Sequence, residues 1–321
     1  MLIRVNDIFS ATNLLTLLFA DDTCALAAGD DINELHKLCN TELQKIANWF
    51  SANLISVNVS KCKYIIFHNK GKKIPNFTEE MVFNLNEIGK QQLPENISPL
   101  IRVRNNDPLA ENQTYKYLGI LLDENLTFNK HIDYLCKKLN RALFCMRRIK
   151  NTLNTKSLRT LYFTLFHSHL LYCIKIFSCT KQSNITRIIL LQKKAIRLVS
   201  KANYRDHTAP LFHLHNILPF DKMLTMHRMT FMHSIHYEYA HTSFNNIWTK
   251  NSNNDRAYNL RNDEQYTIPA PKFENFKLFP LYTFPKIWNE LSLSNTFCMQ
   301  HNPITFRIAL RETLLRQLLP E

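Results

Sequence analysis

Glycine is scarce in this chain, with four residues among 321, at positions 29, 71, 89 and 119. No glycine follows Gly119, although most of the chain lies beyond it. A loop that cradles phosphate with its backbone N–H groups needs several glycines close together. The sequence therefore excludes a Gly-rich phosphate loop downstream of Gly119, and a stretch of this length without glycine favours helices.

Paired cysteines and long apolar runs are also lacking. The eight cysteines are scattered without Cys-x-x-Cys spacing, which excludes the usual structural zinc motif and predicts reduced, packed thiols. We expect an intracellular protein, with nucleus and cytoplasm left open. The longest apolar stretch, 160–174, contains two histidines and is shorter than the ~20 residues of a membrane span, so a buried helix is expected. Polar residues interrupt the apolar N-terminal segment, so neither a signal peptide nor a transmembrane helix is expected.

Negative charge is limited as well. The chain has 26 Asp and Glu against 40 Lys and Arg, a formal net charge of +14. Residues 127–201 hold sixteen Lys and Arg but a single acid, Asp133. This concentration predicts an acidic partner such as nucleic acid, whose phosphates are bound by charge without base-specific geometry. The alternative is a solvated, positively charged helical face.

Hydrophobic periodicity predicts an α+β fold in which strands come first and helices follow. The stretch "LLFADDTCAL" predicts two strands joined by a tight turn, and "KYIIFHN", "LIRVRN" and "YKYLGILLD" predict further strands. Asp30 or Asp31 is placed to cap the first helix. Apolar residues spaced by three and four predict helices over 30–53, 132–149, 158–170 and 185–199, from 221 to about 239, and in the final "TFRIALRETLLRQLL".

Asp21 and Asp22 are the residues of the chain that point most clearly to a chemical function. Two adjacent carboxylates are costly to confine in a half-buried turn unless protons, donors or a metal offset their repulsion. Oxygen ligands suit Mg²⁺, and phosphoryl-transfer enzymes use two such ions. The alternatives are a solvated Asp-Asp turn and a helix cap.

Other potential ligands are less specific. The histidines at 207, 213, 215, 227, 233 and 236 have no cysteine or carboxylate among them at metal-ligand spacing, so packing or surface roles are expected. Trp49 and Trp288 are expected in the core rather than as stacking platforms.

Three blocks occur in a distinctive order: "NDIFSATNLLTLLFADDTCAL", "NWFSANLISVNVSKCKYIIF" and "YKYLGILLDENLTFNKHI". Looser blocks follow: "LQKKAIRLVS", "DHTAPLFHLHNILP", "FPKIWNELS" and "TFRIALRETLL". Together they resemble the C-terminal part of the reverse transcriptase of LINE-type, jockey-like non-long-terminal-repeat retrotransposons. The resemblance covers essentially the whole chain. It implies an RNA-directed DNA polymerase, which is a nucleotidyltransferase.

The resemblance implies three regions. Residues 1–125 would be a partial polymerase palm of antiparallel strands plus one helix, including the primer-grip strand. Residues 126–202 would be a basic helical thumb, and residues 203–321 a mostly helical C-terminal region.

The resemblance also implies roles for single residues. Asp21 and Asp22 would be the catalytic, metal-binding pair, with Asp21 the direct Mg²⁺ ligand. Lys61, or Lys63 in its place, would meet the leaving pyrophosphate as a general acid, although an exposed lysine at a strand edge is the alternative.

The implied primer grip comprises Tyr117, Leu118 and Gly119, where glycine permits a close backbone approach; an ordinary strand with a bulge is the alternative. The implied partners are an RNA template and a DNA primer, or an RNA/DNA hybrid, with no membrane. The thumb residues expected to contact phosphates are Lys137, Lys138, Arg141, Arg147, Arg148, Lys193, Lys194 and Arg197.

The family pattern contains two parts that this sequence lacks. One is a further catalytic Asp upstream of the Asp-Asp turn, and the other is a Pro-Gln-Gly-Ser-type segment that holds the incoming nucleotide. We therefore expect this fragment to be inactive alone and to bind Mg²⁺, or Mn²⁺, only when the missing part completes the site, with no cofactor beyond nucleoside triphosphates. The alternative is a non-catalytic basic module derived from a retroelement, which binds nucleic acid or a protein.

Overall fold

The computed structural model describes residues 6–69, 74, 81–84, 97–104, 109, 113–251, 265–271, 273–292 and 301–318. Over these residues the fold is α+β, as predicted. The chain divides into two compact units, unit 1 (Met1–Tyr117 and Leu122–Asn125) and unit 2 (Leu118–Leu121 and Leu126–Glu321). In neither unit does the described part contain a helix long and apolar enough to cross a membrane.

Unit 1 is built on one long helix, α1 (Ile32–Ala52). Asp31 caps it, because its carboxylate accepts hydrogen bonds from the backbone N–H of Asn33 at 2.7 Å and of Glu34 at 3.0 Å. The predicted helix over 30–53 is therefore confirmed, and of the two candidate caps the structure uses Asp31.

Short strands accompany this helix: β1 (Leu15–Phe19), β2 (Asp22–Leu26), β3 (Lys63–Ile65), β4 (Val82–Asn84), β5 (Ile97–Pro99), β6 (Ile101–Val103) and β7 (Tyr115–Tyr117). The pairs β1–β2 and β4–β5 are antiparallel. The pair β3–β6 is parallel, so the expectation of antiparallel strands is wrong there. Parallel pairing requires a long connection, and 35 residues separate these two strands.

The core of unit 1 lies between the β1–β2 hairpin and α1. Ile8, Ile46 and Ala47 are buried, and Leu18 and Ala25 of the hairpin pack against them. Trp49 is half-buried on the same cluster, as expected for a packing residue. This contact fixes the hairpin, and with it the Asp-Asp turn, on the helix.

The described part of unit 2 is mainly helical; it also holds Ile120 and Leu121 of β8 (Ile120–Leu122) and an antiparallel bridge between Lys250 and Tyr266. Its helices are α2 (Asn129–Ile149), α3 (Thr155–Leu161), α4 (Ser168–Leu171), α5 (Ile174–Phe177), α6 (Gln182–Val199), α7 (Ala209–Leu214), α8 (Phe220–His236), α9 (Pro280–Ser292) and α10 (Pro303–Arg316). The predicted helices over 132–149 and 185–199 correspond to α2 and α6. The block "DHTAPLFHLHNILP" contains α7, a short helix of six residues.

A π-helical segment, Tyr162–His167, joins α3 to α4. Leu158, Tyr162, Phe166 and Leu170 are buried in steps of four, the wider period of a π-helix. Leu165 lies within the predicted helix over 158–170 but is 39% exposed, because this extra width turns it outward. The apolar stretch 160–174 is therefore buried on one face only.

The sequence predicts packing or surface roles for six histidines and core packing for Trp288. His207 and His213 are exposed, while His215, His233 and Trp288 are buried. Among the described residues, no group of three His, Cys, Asp or Glu could hold a metal ion. Seven cysteines are free thiols; Cys298 lies outside the described residues.

Gln192 is the polar centre of unit 2 and is fully buried. Its amide N–H group donates to the hydroxyl of Tyr162 at 2.9 Å and to the carbonyl of Leu218 at 3.0 Å. Its carbonyl accepts from the backbone N–H of Phe220 at 2.7 Å. The hydrogen bonds of this one side chain thus link α6 to the π-helical segment and to the start of α8.

Replacing Gln192 with Leu should destabilise unit 2 while keeping nearly the same volume. Leu cannot satisfy the Leu218 carbonyl or the Phe220 N–H, and each such loss costs about 1–3 kcal/mol. We expect the free energy of unfolding to fall by about 2–4 kcal/mol in urea titrations followed by circular dichroism. The matched change at exposed Gln182, on the same helix, should cost less than about 0.5 kcal/mol. Equal losses for the two variants would contradict the role of Gln192.

Candidate active site and nucleic-acid interface

The Asp-Asp stretch forms the predicted hairpin. β1 and β2 pair from Leu15 with Leu26 to Phe19 with Asp22, so the turn consists of Ala20 and Asp21. Ala20 has a φ of 55°, and a positive φ at the first turn position is required by the tight turns that match strand twist. This conformation is uncommon for alanine, so the turn is locally strained.

Asp22 lies on the outer face of the hairpin. Residues paired across antiparallel strands share a face, so Asp22 lies beside Phe19, and Leu17 lies beside Cys24. Phe19 is 60% exposed, and Asp21 and Asp22 are both exposed. Of the alternatives that the sequence leaves open, the structure has a solvated Asp-Asp turn, in which water can screen the repulsion between the two carboxylates.

A buried carboxylate holds the hairpin against α1. Glu42 is 2% exposed and accepts hydrogen bonds from the hydroxyl of Thr12 and the backbone N–H of Asn13, both at 2.8 Å. Lys45 Nζ lies 2.6 Å from its other oxygen. The Lys45 hydrogen bond, with those from Asn13 and Thr12, lowers the pKa of Glu42 from its usual value near 4.5 to about 2. The residues that lead into β1 are thus fixed by an ionised group.

Two tyrosines of β7 lie near the hairpin. Burial raises the pKa of Tyr115, and the negative charge of Asp22 raises it further, as do the nearby thiols of Cys62 and Cys24. Burial likewise raises the pKa of Tyr117, with further contributions from Cys24 and Asp22. β7 therefore brings phenol hydroxyls toward the outer face of the hairpin that carries Asp22.

Lys61 ends a short 3₁₀ turn, Val59–Lys61, and its side chain is exposed. Among the described residues it forms no ion pair with Asp21 or Asp22. The neighbouring residue Cys62 lies within electrostatic reach of Tyr115, which places this segment on the same side of unit 1 as β7. Lys63 is half-buried in β3, so of the two candidates Lys61 is the one open to an incoming phosphate.

The described residues do not form a complete magnesium site. Asp21 and Asp22 offer carboxylate oxygens of the right chemistry, but no third His, Cys, Asp or Glu of the described part joins them in a metal-binding group. A site on this hairpin would need further oxygen ligands from elsewhere.

The predicted primer grip extends over the division between the units. Leu118 and Gly119 have positive φ angles of 44° and 82°, the conformation that two-residue hairpin turns require. In unit 2 the hydroxyl of Tyr172 donates to the Leu118 carbonyl, and the Leu121 N–H donates to Nδ1 of His131 at 3.4 Å. A Cβ on Gly119 would lie 3.2 Å from the Tyr172 ring, so glycine is required by both conformation and space.

Four cations of α2 form a stripe, which we call the α2 stripe: Lys130, Lys137, Arg141 and Arg148. Their spacings of seven, four and seven residues place them on one helical face about 27 Å long. All four are exposed, and none pairs with an acid within the described part of the chain. Phe144 lies in the stripe, is 59% exposed and stacks beneath Arg148, whose guanidinium is 5.4 Å from its ring centre.

The other residues predicted to contact phosphates differ in position and in exposure. Lys138 and Arg147 lie about 80–100° around α2 from the stripe, and the Lys138 ammonium covers the Tyr134 ring at 4.6 Å. On α6, Lys194 is exposed and Lys193 half-buried. Arg197 is half-buried, and its Nε donates to the Asp206 carbonyl at 3.0 Å.

The one acid of the basic segment is neutralised within the fold. Arg187 of α6 donates to Asp133 of α2 at 2.7 Å, and Asn184 donates to Asn129 at 2.8 Å. Asn129 precedes Asp133 along α2, and their partners Asn184 and Arg187 follow in the same order along α6, so the two helices run parallel.

Sequence reasoning missed Tyr115, Phe144 and Tyr172. Phe144 could have been found, because it falls outside the apolar spacing of α2 and between basic residues. No local signal marks Tyr115 or Tyr172, since their importance depends on contacts with residues distant in sequence.

The low pKa of Glu42 makes the hairpin sensitive to acid. The pKa of Glu42 is lower in the folded chain than in the unfolded chain. The stabilisation that ionised Glu42 gives to the folded state is therefore complete above about pH 4.5 and is lost as the pH falls toward 2. We expect the protection of residues 15–26 against amide hydrogen exchange, measured by mass spectrometry and expressed relative to the intrinsic exchange rate at each pH, to fall across this range.

Replacing Glu42 with Gln keeps hydrogen-bond acceptors for Thr12 and Asn13 but cannot ionise. In the variant this loss of protection between pH 4.5 and 2 should therefore be absent, and residues 15–26 should be less protected than in wild type at neutral pH. Glu34→Gln, at an exposed position in the first turn of α1, should behave like wild type. An unchanged acid response in the Glu42 variant would refute this anchoring role.

Curated relatives share low but extended identity with this chain. It is 24% identical over 198 residues to the RNA-directed DNA polymerase from mobile element jockey of Drosophila funebris. It is 23% identical over 199 residues to the protein of the same name from Drosophila melanogaster. Each alignment covers 61% of this chain and 19% of the relative.

A further relative is the probable RNA-directed DNA polymerase from transposon BS of Drosophila melanogaster, which is 24% identical over 216 residues, 66% of this chain and 21% of the relative. The similarity thus spans about a fifth of the length of these relatives. No family model matches the chain, and no solved structure does. The predicted resemblance is confirmed: this chain is similar to the RNA-directed DNA polymerases of jockey and other non-long-terminal-repeat retrotransposons.

Proposed function

We propose that this chain is part of a retrotransposon RNA-directed DNA polymerase, in which unit 2 acts as a thumb that binds the template and primer duplex through its phosphates. The observation that carries the proposal is the α2 stripe. A rigid helix presents four exposed cations over about 27 Å, and the only acid of the basic segment is already paired with Arg187. Cations held in this way suit a phosphate backbone, which is bound by charge rather than base geometry.

The exposed side chain of Phe144 favours nucleic acid over other anions as the ligand of the α2 stripe. An aromatic ring that is largely exposed between cations offers a surface on which a base or a sugar can pack, and stacking on a base contributes to single-strand binding. A face selected only for solubility has no reason to expose a phenylalanine.

The catalytic part of the proposal concerns unit 1. In it, Asp21 and Asp22 supply two carboxylates to a magnesium site that requires a further carboxylate from another segment of the polymerase, and Lys61 meets the released pyrophosphate. The similarity of the chain to polymerases that carry out template-directed nucleotidyl transfer supports these roles. The α2 stripe equally suits a non-catalytic nucleic-acid-binding module, so catalysis and binding require separate tests.

The binding test removes two charges from the α2 stripe in the variant Lys137→Gln/Arg141→Gln. We expect weaker binding to a fluorescent RNA/DNA hybrid, and a dependence of log K on log salt that is smaller by about two units, since each neutralised phosphate contributes about 0.9. Phe144→Ala should weaken binding without changing the salt slope.

The matched control is Lys286→Gln/Arg316→Gln, which removes the same charge from exposed residues of α9 and α10 that pair within their own helices. Its salt slope should stay at the wild-type value. If wild-type affinity is independent of salt, or if the control and the stripe variant behave alike, the proposed thumb function is wrong.

The catalytic test is primer extension on poly(rA) with an oligo(dT) primer and Mg²⁺ or Mn²⁺. The purified chain should yield no product, because the described residues supply only two adjacent carboxylates. Extension that disappears in Asp21→Asn would contradict this expectation and show that the chain itself completes the site.

A further inference from the structure

A second group of cations gathers on other helices of unit 2. Its members, here called the α10 cluster, are Arg159, His167, Lys175, His227, Arg307 and Arg311. Burial lowers the pKa of Arg311, and the positive charges of Arg159 and Arg307 lower it further, so both guanidinium groups lie within electrostatic reach of Arg311. His227 and Arg311 act in the same way on His167. Helices far apart in sequence therefore bring like charges to one place.

Two of these arginines are held by adjacent backbone carbonyls. Arg159 Nε donates to the carbonyl of His215 at 3.0 Å, and Arg311 Nη2 donates to the carbonyl of Asn216 at 2.6 Å. Because the two acceptors are consecutive peptide groups, the guanidinium groups of α3 and α10 lie side by side.

The end of α7 explains why these carbonyls are free to accept. Asn216 has a φ of 54°, its N–H donates to the His213 carbonyl, and the Ile217 N–H donates to the Phe212 carbonyl. This is the hydrogen-bond pattern of a Schellman cap, with Ile217 and Phe212 both buried. The cap turns the carbonyls of His215 and Asn216 outward, and Arg159 and Arg311 donate hydrogen bonds to them.

Each histidine of the cluster has one buried ring nitrogen without a hydrogen-bond partner in the described part of the chain. The Arg159 guanidinium lies 4.8 Å from the Phe163 ring, and the Phe163 ring lies 4.9 Å from the His167 ring, so α3 and the π-helical segment form one stack. His167 Nδ1 and His227 Nε2 are buried without a hydrogen-bond partner. Buried polar atoms of this kind normally have one.

Negative charge is missing from the cluster. Among the described residues, none of its six side chains pairs with a carboxylate, and the carbonyls that hold Arg159 and Arg311 carry no net charge. Guanidinium groups fixed side by side match the oxygens of a phosphate, because their planar donors bind it in a bidentate manner.

We propose that the α10 cluster binds a phosphodiester group of a nucleic-acid strand, with Arg159 and Arg311 contacting the phosphate oxygens and His167 and His227 completing the site. The proposal rests on the proposed nucleic-acid function and adds a second contact to it, away from the residues of α2 and α6. Arg307 and Lys175 are exposed and would attract the strand.

The electrostatics of the histidines provide a direct readout. Burial, then the neighbouring positive groups, lower the pKa of His167 and of His227 to about 4. A bound phosphate would offset the nearby positive charge and raise both pKa values toward 6.5. The imidazole resonances of the full chain, assigned with His167→Asn and His227→Asn, report this change by NMR during titration with an oligonucleotide or with inorganic phosphate.

The test variant is Arg307→Gln, since Arg307 is exposed and makes no hydrogen bond within the described residues that folding would need. We expect it to bind a fluorescent single-stranded oligonucleotide and an RNA/DNA hybrid about 3–10-fold more weakly, with a salt slope smaller by about one. Arg316→Gln, on the same helix but paired with Glu312, should bind as wild type. Arg311→Lys keeps the charge but not the planar fork, and should also lose affinity.

The outcomes separate this proposal from the thumb function. If Lys137→Gln/Arg141→Gln weakens binding while Arg307→Gln and Arg311→Lys bind as Arg316→Gln does, the α10 cluster is not a contact and the thumb function stands. If wild type fails to bind nucleic acid, the thumb function is wrong. A histidine response to inorganic phosphate alone, or binding to anionic lipid vesicles in the absence of oligonucleotide binding, would overturn the nucleic-acid assignment of the cluster.

Discussion

The arrangement of unit 2 depends on one buried amide, that of Gln192. Three of its hydrogen bonds run to groups on other segments: the Tyr162 hydroxyl, the Leu218 carbonyl and the Phe220 N–H. Apolar packing alone would permit α6 to slide or rotate against its neighbours, because dispersion contacts are not directional. A buried polar group removes that freedom, since any other register leaves donors and acceptors without partners. The cations of α2, α3, α6 and α10 can be held at fixed positions because this frame is rigid.

Rigid placement matters because residues 127–201 of unit 2 carry sixteen Lys and Arg but a single acid. Like charges on flexible side chains spread apart when they can, so close cations require specific support. The structure provides two kinds: Arg187 neutralises the single acid, Asp133, while backbone carbonyls hold Arg159 and Arg311. The first kind leaves the α2 stripe entirely cationic, and the second keeps two arginines adjacent. Both are consistent with a surface that meets a polyanion.

Unit 1 uses charge differently. The ionised group that stabilises it, Glu42, is buried away from the turn, whereas Asp21 and Asp22 are exposed. The acids of the hairpin therefore contribute little to its stability, and a strained Ala20 is tolerated beside them. Residues that do not support the fold but interrupt a favourable turn are typical of functional positions. In the proposed function, this exposed pair supplies carboxylates to a magnesium site.

The sequence by itself determined the main helices, the hairpin and the charge balance, because these follow from local spacing and composition. α1, α2 and α6 appear where periodicity predicts them, and Asp31, one of two candidate caps, begins α1. The order of several sequence blocks, rather than the Asp-Asp pair alone, is what the sequence offers for the resemblance to the family. The sequence did not determine burial or pairing: the Asp-Asp turn is exposed, β3 pairs with β6 in parallel, and a π-helical segment turns Leu165 outward. Only the tertiary structure decided these features, as it decided that Arg159 and Arg311 meet across about 150 residues of chain. The physical reason is that exposure, strand partners and charge clusters depend on contacts between distant segments, which no local pattern records.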